Sequence, residues 1–93
     1  MRRPILAANW KMQKVTGEAE SFVRAFLPLV KNASGVDVVI APPVTALERV
    51  GTALRGSGIE LAAQNVNAEE GGAFTGEIAP GMLVDLGCGY AIV

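Results

Sequence analysis

The chain has 93 residues, 51% of them apolar and 18% charged, with eight basic and nine acidic side chains and a net charge of −1. This length holds one domain at most, and a domain of this size buries only about 60–65% of its unfolded surface, so so high an apolar fraction is hard to cover. Dispersed, balanced charge leaves no footprint for nucleic acid, the lone Cys88 excludes an internal disulfide framework, and the lack of histidine excludes a histidine base or histidine-bound metal within these residues.

No apolar run approaches the roughly 18 residues of a membrane span. Met1-Arg2-Arg3-Pro4 followed by Ile5–Ala8 is too short for a secretory signal. These features suit a cytoplasmic α/β protein.

Ile5-Leu6-Ala7-Ala8 follows a proline and reads as a short buried strand. Asn9 to Lys14 then form a polar connection. Thr16 is the expected N-cap of a first helix, with Glu18 and Glu20 in the first turn, where carboxylates suit the helix dipole. Phe22, Val23, Phe26 and Val30 recur at helical spacing, and Pro28 predicts a kink or break near Leu27. Val36 to Ala41 is β-branched and fits a central strand, stopped by Pro42-Pro43.

Thr45-Ala46-Leu47-Glu48 has capping-box spacing, a hydroxyl followed three residues later by a glutamate. The second helix it opens carries Leu47, Val50 and Leu54 on one face and ends at Gly56-Ser57-Gly58. Ile59 to Gln64 is a third strand. A long connection, Asn65 to Glu77, carries Gly71, Gly72 and Gly76. Pro80 to Leu86 is a short helix with Gly87 as its stop, and Tyr90 begins a fourth strand.

The order βαβαβαβ implies parallel strands and right-handed crossovers. Strand starts recur about every 28 residues, and eight such units take about 225–250 residues, the size of a (β/α)8 barrel.

Asn9 and Lys11 lie just past the carboxyl end of the first strand, where parallel α/β folds bind ligands. A lysine and an asparagine there suit a phosphate or a developing oxyanion. The competing reading is a solvated loop. A connection as long as Asn65–Glu77 points to a functional or interaction loop, and Phe74, flanked by small residues, suits insertion into a partner's pocket. Glu69-Glu70 reads as a solvated acidic pair, and Trp10 as packed at the rim. Gly87-Cys88-Gly89 precedes a strand instead of following one, so it is no phosphate cradle, and Cys88 reads as a small buried hydrophobe.

Four segments together resemble the triosephosphate isomerase family: Asn9-Trp10-Lys11-Met12, Ala41-Pro42-Pro43, Gln64-Asn65-Val66 with Gly72-Ala73-Phe74-Thr75-Gly76-Glu77, and Asp85 to Val93. The likeness runs in register from residue 1 to 93. It implies an α/β fold, the parallel (β/α)8 barrel, of which residues 1–93 are the N-terminal part of a single domain, about three-eighths of it. The implied activity interconverts dihydroxyacetone phosphate and glyceraldehyde 3-phosphate by proton transfer through an enediolate, in glycolysis and gluconeogenesis, with no cofactor or metal. Lys11 then supplies positive charge to the substrate phosphate and transition state, and Asn9 places substrate oxygens.

The resemblance further implies a cytoplasmic homodimer with no nucleic-acid or membrane partner. Phe74, Thr75, Gly76 and Glu77 match its interdigitating loop, Met12 and Gln13 the receiving surface, and Gln64 and Asn65 the support of the loop's base. The family's catalytic histidine and glutamate base have no counterpart here, the histidine being expected just after Val93. Neither Glu18 nor Glu77 matches the base's motif, so these residues alone are expected to be inactive. Two alternatives stand beside the enzyme: an inactive or designed partial barrel that survives by self-association, and a small phosphate-binding α/β module.

Overall fold

Strands alternating with amphipathic helices fold as their order predicts. A computed structural model describes residues 2–93. Strands β1 (Ile5–Asn9), β2 (Asp37–Ala41), β3 (Glu60–Ala63) and β4 (Cys88–Ala91) alternate with helices α1 (Thr16–Val30), α2 (Val44–Leu54) and α3 (Pro80–Asp85). The strands form one parallel sheet in the order β1-β2-β3-β4.

The register decides which side chains share a face. Ala8 pairs with Ile40 and Asn9 with Ala41, while Ile40 pairs with Leu61. Neighbours in register share a face and successive residues alternate. Ile40, Leu61 and Ala63 therefore look toward the helices, where they join Ala19, Val23, Ala46, Leu47, Val50, Leu54 and Leu83 in the main core. Val39, Ala41 and Ala62 make a smaller cluster on the opposite face. Asn9, in register with Ala41, belongs to that second face at the carboxyl end of the sheet. Leu47, Val23 and Val50 are fully buried, and each such side chain contributes about 1.5–3 kcal/mol by leaving water.

Polar contacts fix the periphery. Arg3 Nε donates to Asp37 Oδ1 at 2.6 Å, tying the approach to β1 to the start of β2. Glu20 on α1 accepts from Arg24 at 2.7 Å and lies 3.6 Å from Arg49 of α2. Both edge strands are open: every residue of β1 is exposed, with Leu6 at 63%, and Gly89 to Ala91 of β4 are exposed as well.

Several boundaries differ from expectation, each for a physical reason. The cap of α1 is Val15, whose N–H donates to Glu18 Oε1 at 3.0 Å. Thr16 is instead the first helical residue, and its hydroxyl accepts from Arg49 Nη1 at 3.3 Å, so it links two helices in place of capping one. Thr45 is not a cap either. Pro43, extended with ψ 153°, is the N-cap of α2, and Thr45 already lies inside the first turn.

The expected break at Leu27 does not occur, and α1 runs through Pro28 to Val30. Pro28 falls in the last turn at an exposed position, where the single bond it removes is at the helix's open end. Asn9 is the last residue of β1, not part of the connection. Strand β4 begins at Cys88, two residues early, because Leu61 pairs with Cys88 while Ala62 pairs with Tyr90. Gly89 is the extra residue of a β-bulge, and its missing side chain leaves room for the Glu60 carboxylate, 3.0 Å from where a Cβ would stand.

Candidate active site

The carboxyl ends of β1, β2 and β3 meet at one corner of the sheet. Three consecutive strand ends supply Asn9, the Ala41 carbonyl and Gln64, the residue directly after β3. Lys11 stands two residues beyond β1 with φ +57°, and Lys14 follows with φ +74°. Left-handed backbone is uncommon outside glycine, so two such lysines within four residues mark the segment as held in place by its surroundings.

Lys11 is exposed, and among the described residues it forms no ion pair. Its ammonium is therefore available to an anion. Asn9 uses its side-chain oxygen to accept the Lys11 N–H at 2.9 Å, an Asx-turn contact that leaves the amide NH2 of Asn9 with no protein acceptor among the described residues. A free amide donor and a free ammonium thus flank one backbone turn. That pair is suited to hold negatively charged oxygen.

Trp10, between them, is anchored on both sides. Its N–H donates to the Ala41 carbonyl at 3.1 Å, and its ring meets Phe22 edge-on with centroids 5.4 Å apart. Lys14 Nζ lies 5.1 Å from the Phe22 centroid and 5.8 Å from that of Trp10, a cation–π contact of about 0.5–1 kcal/mol at an exposed site. The expected packing of Trp10 at the rim is present.

The connection from β3 to α3 is closed on itself. Asn67 N–H donates to the Ile78 carbonyl at 2.8 Å, its Nδ2 to Glu77 Oε1 at 2.9 Å, and its Oδ1 accepts from Glu69 N–H at 2.8 Å. Asn67, not Gln64 or Asn65, holds the base of this loop. Gln64 is directed elsewhere: its Nε2 donates to the carbonyls of Lys11 and Ala41, each at 2.9 Å. Phe74 lies over Gly72, where a Cβ would meet its ring at 2.9 Å, so only glycine fits at that position with φ +134°.

Phe74, Thr75, Gly76 and Glu77 are all exposed. Met12 and Gln13 are exposed on the turn after β1, and among the described residues no hydrogen bond joins them to the loop. Asn65 is exposed beside Gln64. Cys88 is half-buried within β4, and burial pushes its thiol above the ordinary range, as suits a packing residue and not a nucleophile.

Lys14, Asn67 and the Ala41 carbonyl were not legible as site residues. A cation over two rings and a carboxamide ten residues from its carboxylate depend on how the chain returns on itself, and a backbone carbonyl carries no sequence signal.

A family model for triosephosphate isomerase matches residues 4–93. The chain belongs to the triosephosphate isomerase family. It is similar over all 93 residues to triosephosphate isomerases of Carboxydothermus hydrogenoformans and Symbiobacterium thermophilum, each at 52% identity, and of Geotalea uraniireducens at 50%. It spans 36–37% of the length of these curated relatives. Four parallel strands alternating with helices are consistent with the start of a triosephosphate isomerase barrel, and Asn9, Lys11 and Gln64 lie together at the carboxyl ends of its first three strands.

Proposed function

We propose that this chain contributes the first three βα units and fourth strand of an isomerase that interconverts dihydroxyacetone phosphate and glyceraldehyde 3-phosphate by proton transfer through an enediolate. Residues 1–93 are then the N-terminal part of one barrel domain in a cytoplasmic glycolytic enzyme without cofactor or metal. The observation that carries this reading is Lys11: an exposed ammonium without an acidic partner, on a turn beside the free amide of Asn9, inside the segment that the family model matches. Lys11 supplies charge to the phosphate and to the oxygen that becomes negative in the transition state, and Asn9 orients substrate oxygens. Charge placed in advance of the reaction is commonly the largest catalytic contribution.

Proton abstraction also needs a positioned base, worth about 10²–10⁴-fold. The chain has no histidine, and neither Glu18 nor Glu77 matches the motif of the family's base; their carboxylates accept from Val15 N–H and Asn67 Nδ2. The test combines intact mass with an isomerase assay. A 9.7 kDa polypeptide is expected to bind inorganic phosphate through Lys11 and to show no turnover above buffer. A longer polypeptide containing this sequence is expected to isomerise glyceraldehyde 3-phosphate and to lose nearly all turnover on Lys11→Ala. Unchanged turnover in that variant overturns the reading.

For a polypeptide of these 93 residues alone, self-association is supported by the open edges of β1 and β4, because unpaired strand edges template further pairing. In the whole enzyme the proposed homodimer surface comprises Met12, Gln13, Gln64, Asn65 and the tip Phe74, Thr75, Gly76 and Glu77. Static light scattering is expected to find species larger than a monomer, and Thr75→Arg to weaken the homodimer by placing an unpaired charge in its interface. A monodisperse monomer at high concentration overturns this.

A further inference from the structure

The end of α1 and the turn from α2 into β3 enclose a groove of about 640 Å³, within the roughly 300–1,000 Å³ of small-ligand sites. Both walls belong to the connections that lead into β2 and β3. The groove therefore lies at the amino end of the sheet, opposite Asn9 and Lys11. Its floor is apolar: Leu27, Val30 and Ile59 line it and are each half-buried. Its rim is basic. Arg24, Lys31 and Arg55 are three of the chain's eight cationic side chains, and no Asp or Glu is among the lining residues. Three further charged grooves all carry carboxylates, such as Glu60 and Asp85 in one of them. Glu20 holds Arg24 at 2.7 Å, but Lys31 and Arg55 form no ion pair among the described residues.

One wall is fixed in advance. Ser57 Oγ donates to the Leu54 carbonyl and accepts the Ile59 N–H at 3.1 Å, and a wall that is already ordered lowers the cost of binding. The other wall carries an unused acceptor. Pro28 lies inside α1 and has no N–H, so the Arg24 carbonyl lacks the donor that an α-helix supplies four residues on. An apolar floor, two unpaired cations and a carbonyl without its helical donor call for a ligand that combines an apolar side chain, carboxylates and N–H groups. We propose that this groove docks a short acidic peptide segment of a partner protein, its carboxylates on Lys31 and Arg55 and an apolar side chain over Leu27, Val30 and Ile59. An acyl chain brings no N–H, and no aromatic ring lines the groove for a nucleic-acid base to stack on. Exposed ion pairs are individually weak, so binding is modest and falls with added salt.

The test uses the isotopically labelled 93-residue chain and a fluorescein-labelled hexapeptide of alternating glutamate and leucine. Fluorescence polarisation reads affinity, and methyl and amide shifts read the place of binding. The signals of Leu27, Val30 and Ile59 are expected to move, and those of Lys11, β1 and β4 to stay. Lys31→Glu and Arg55→Glu change exposed side chains and should leave the fold intact. Each is expected to weaken binding about fivefold. Lys14→Glu makes the same change of charge at the other end of the sheet and is expected to weaken it by less than about twofold. Pro28→Ala returns a helical donor to the Arg24 carbonyl and is expected to weaken the peptide about threefold, with helix α1 intact.

Unchanged affinity in Lys31→Glu and Arg55→Glu, an equal loss in Lys14→Glu, or shifts confined to β1 and β4 overturns the proposal. Parental affinity in Pro28→Ala removes the backbone donor and with it the choice of a peptide. Vesicles of phosphatidylserine and phosphatidylcholine that move the groove's signals when the peptide does not assign this surface to lipid and overturn it as well.

Discussion

The carboxamide of Asn67 donates to the carboxylate of Glu77 across 2.9 Å, closing the ten-residue span between them. The same side chain accepts the Glu69 N–H, so one residue clasps both limbs of the loop. Removing it with Asn67→Ala is expected to lower the local opening free energy by about 1–2 kcal/mol. Amide hydrogen exchange checks this: residues 68–77 should exchange faster while α1 and α2 keep their protection. Unchanged exchange in the loop contradicts the clasp.

Gly51 and Gly17 make a contrasting pair. A Cβ at Gly51 would stand 2.9 Å from Leu61 Cδ2 and 3.3 Å from the Leu86 carbonyl, whereas nothing lies within 4 Å at Gly17. Gly51→Ala is expected to lose stability, since overpacking costs about 1–3 kcal/mol against a helix-propensity gain of about 1 kcal/mol. Gly17→Ala keeps only the gain. Thermal unfolding should therefore move the two midpoints in opposite directions, by roughly 4–8 °C per kcal/mol for a domain of this size.

Lys11→Gly and Lys11→Ala remove the same ammonium and should weaken phosphate binding equally. They differ in backbone. At φ +57° glycine escapes a left-handed cost of about 1–2 kcal/mol, partly offset by its greater freedom when unfolded, about 0.4–1 kcal/mol. Chemical denaturation is expected to find Lys11→Gly the more stable of the two. The reverse order means that Lys11 is not left-handed in solution.

Glu20 supplies a pH dependence. The hydrogen bond from Arg24 is the main cause holding its carboxyl below the ordinary range; burial opposes it, and the charges of Arg24 and then Arg49 lower it further by smaller amounts. A depressed carboxylate contributes stability above its unfolded value and loses it as pH falls through the folded value. Glu20→Gln should lower stability slightly at neutral pH, by little because the ion pairs are screened, and flatten the acid limb, with the two proteins converging at low pH. Added salt should mimic the substitution. An identical acid limb in both proteins removes Glu20 from the account.

The element order was readable because each element carries its own local signal. Val38-Val39-Ile40 is β-branched and ends on prolines, and Leu47, Val50 and Leu54 repeat at helical spacing. Lys11 and Asn9 were readable because a strand's carboxyl end is a fixed place in a parallel fold. The caps were misplaced because Thr16 and Thr45 have the preferred chemistry, yet α1 is closed by the reach of Glu18 back to Val15 and α2 opens directly from Pro43. The contact of Gln64 with Lys11 was hidden by the 53 residues between them, and the early start of β4 by a bulge that exists only once β3 is beside it.

Spatial order in the sheet repeats chain order, β1-β2-β3-β4. Each strand therefore docks on the one made just before it and waits for nothing synthesised later. Short sequence separations between partners favour rapid folding, and a nascent chain grows from its N-terminal side. These four strands can therefore assemble stepwise as they leave the ribosome, one free edge staying at β1 and the other passing to each new strand.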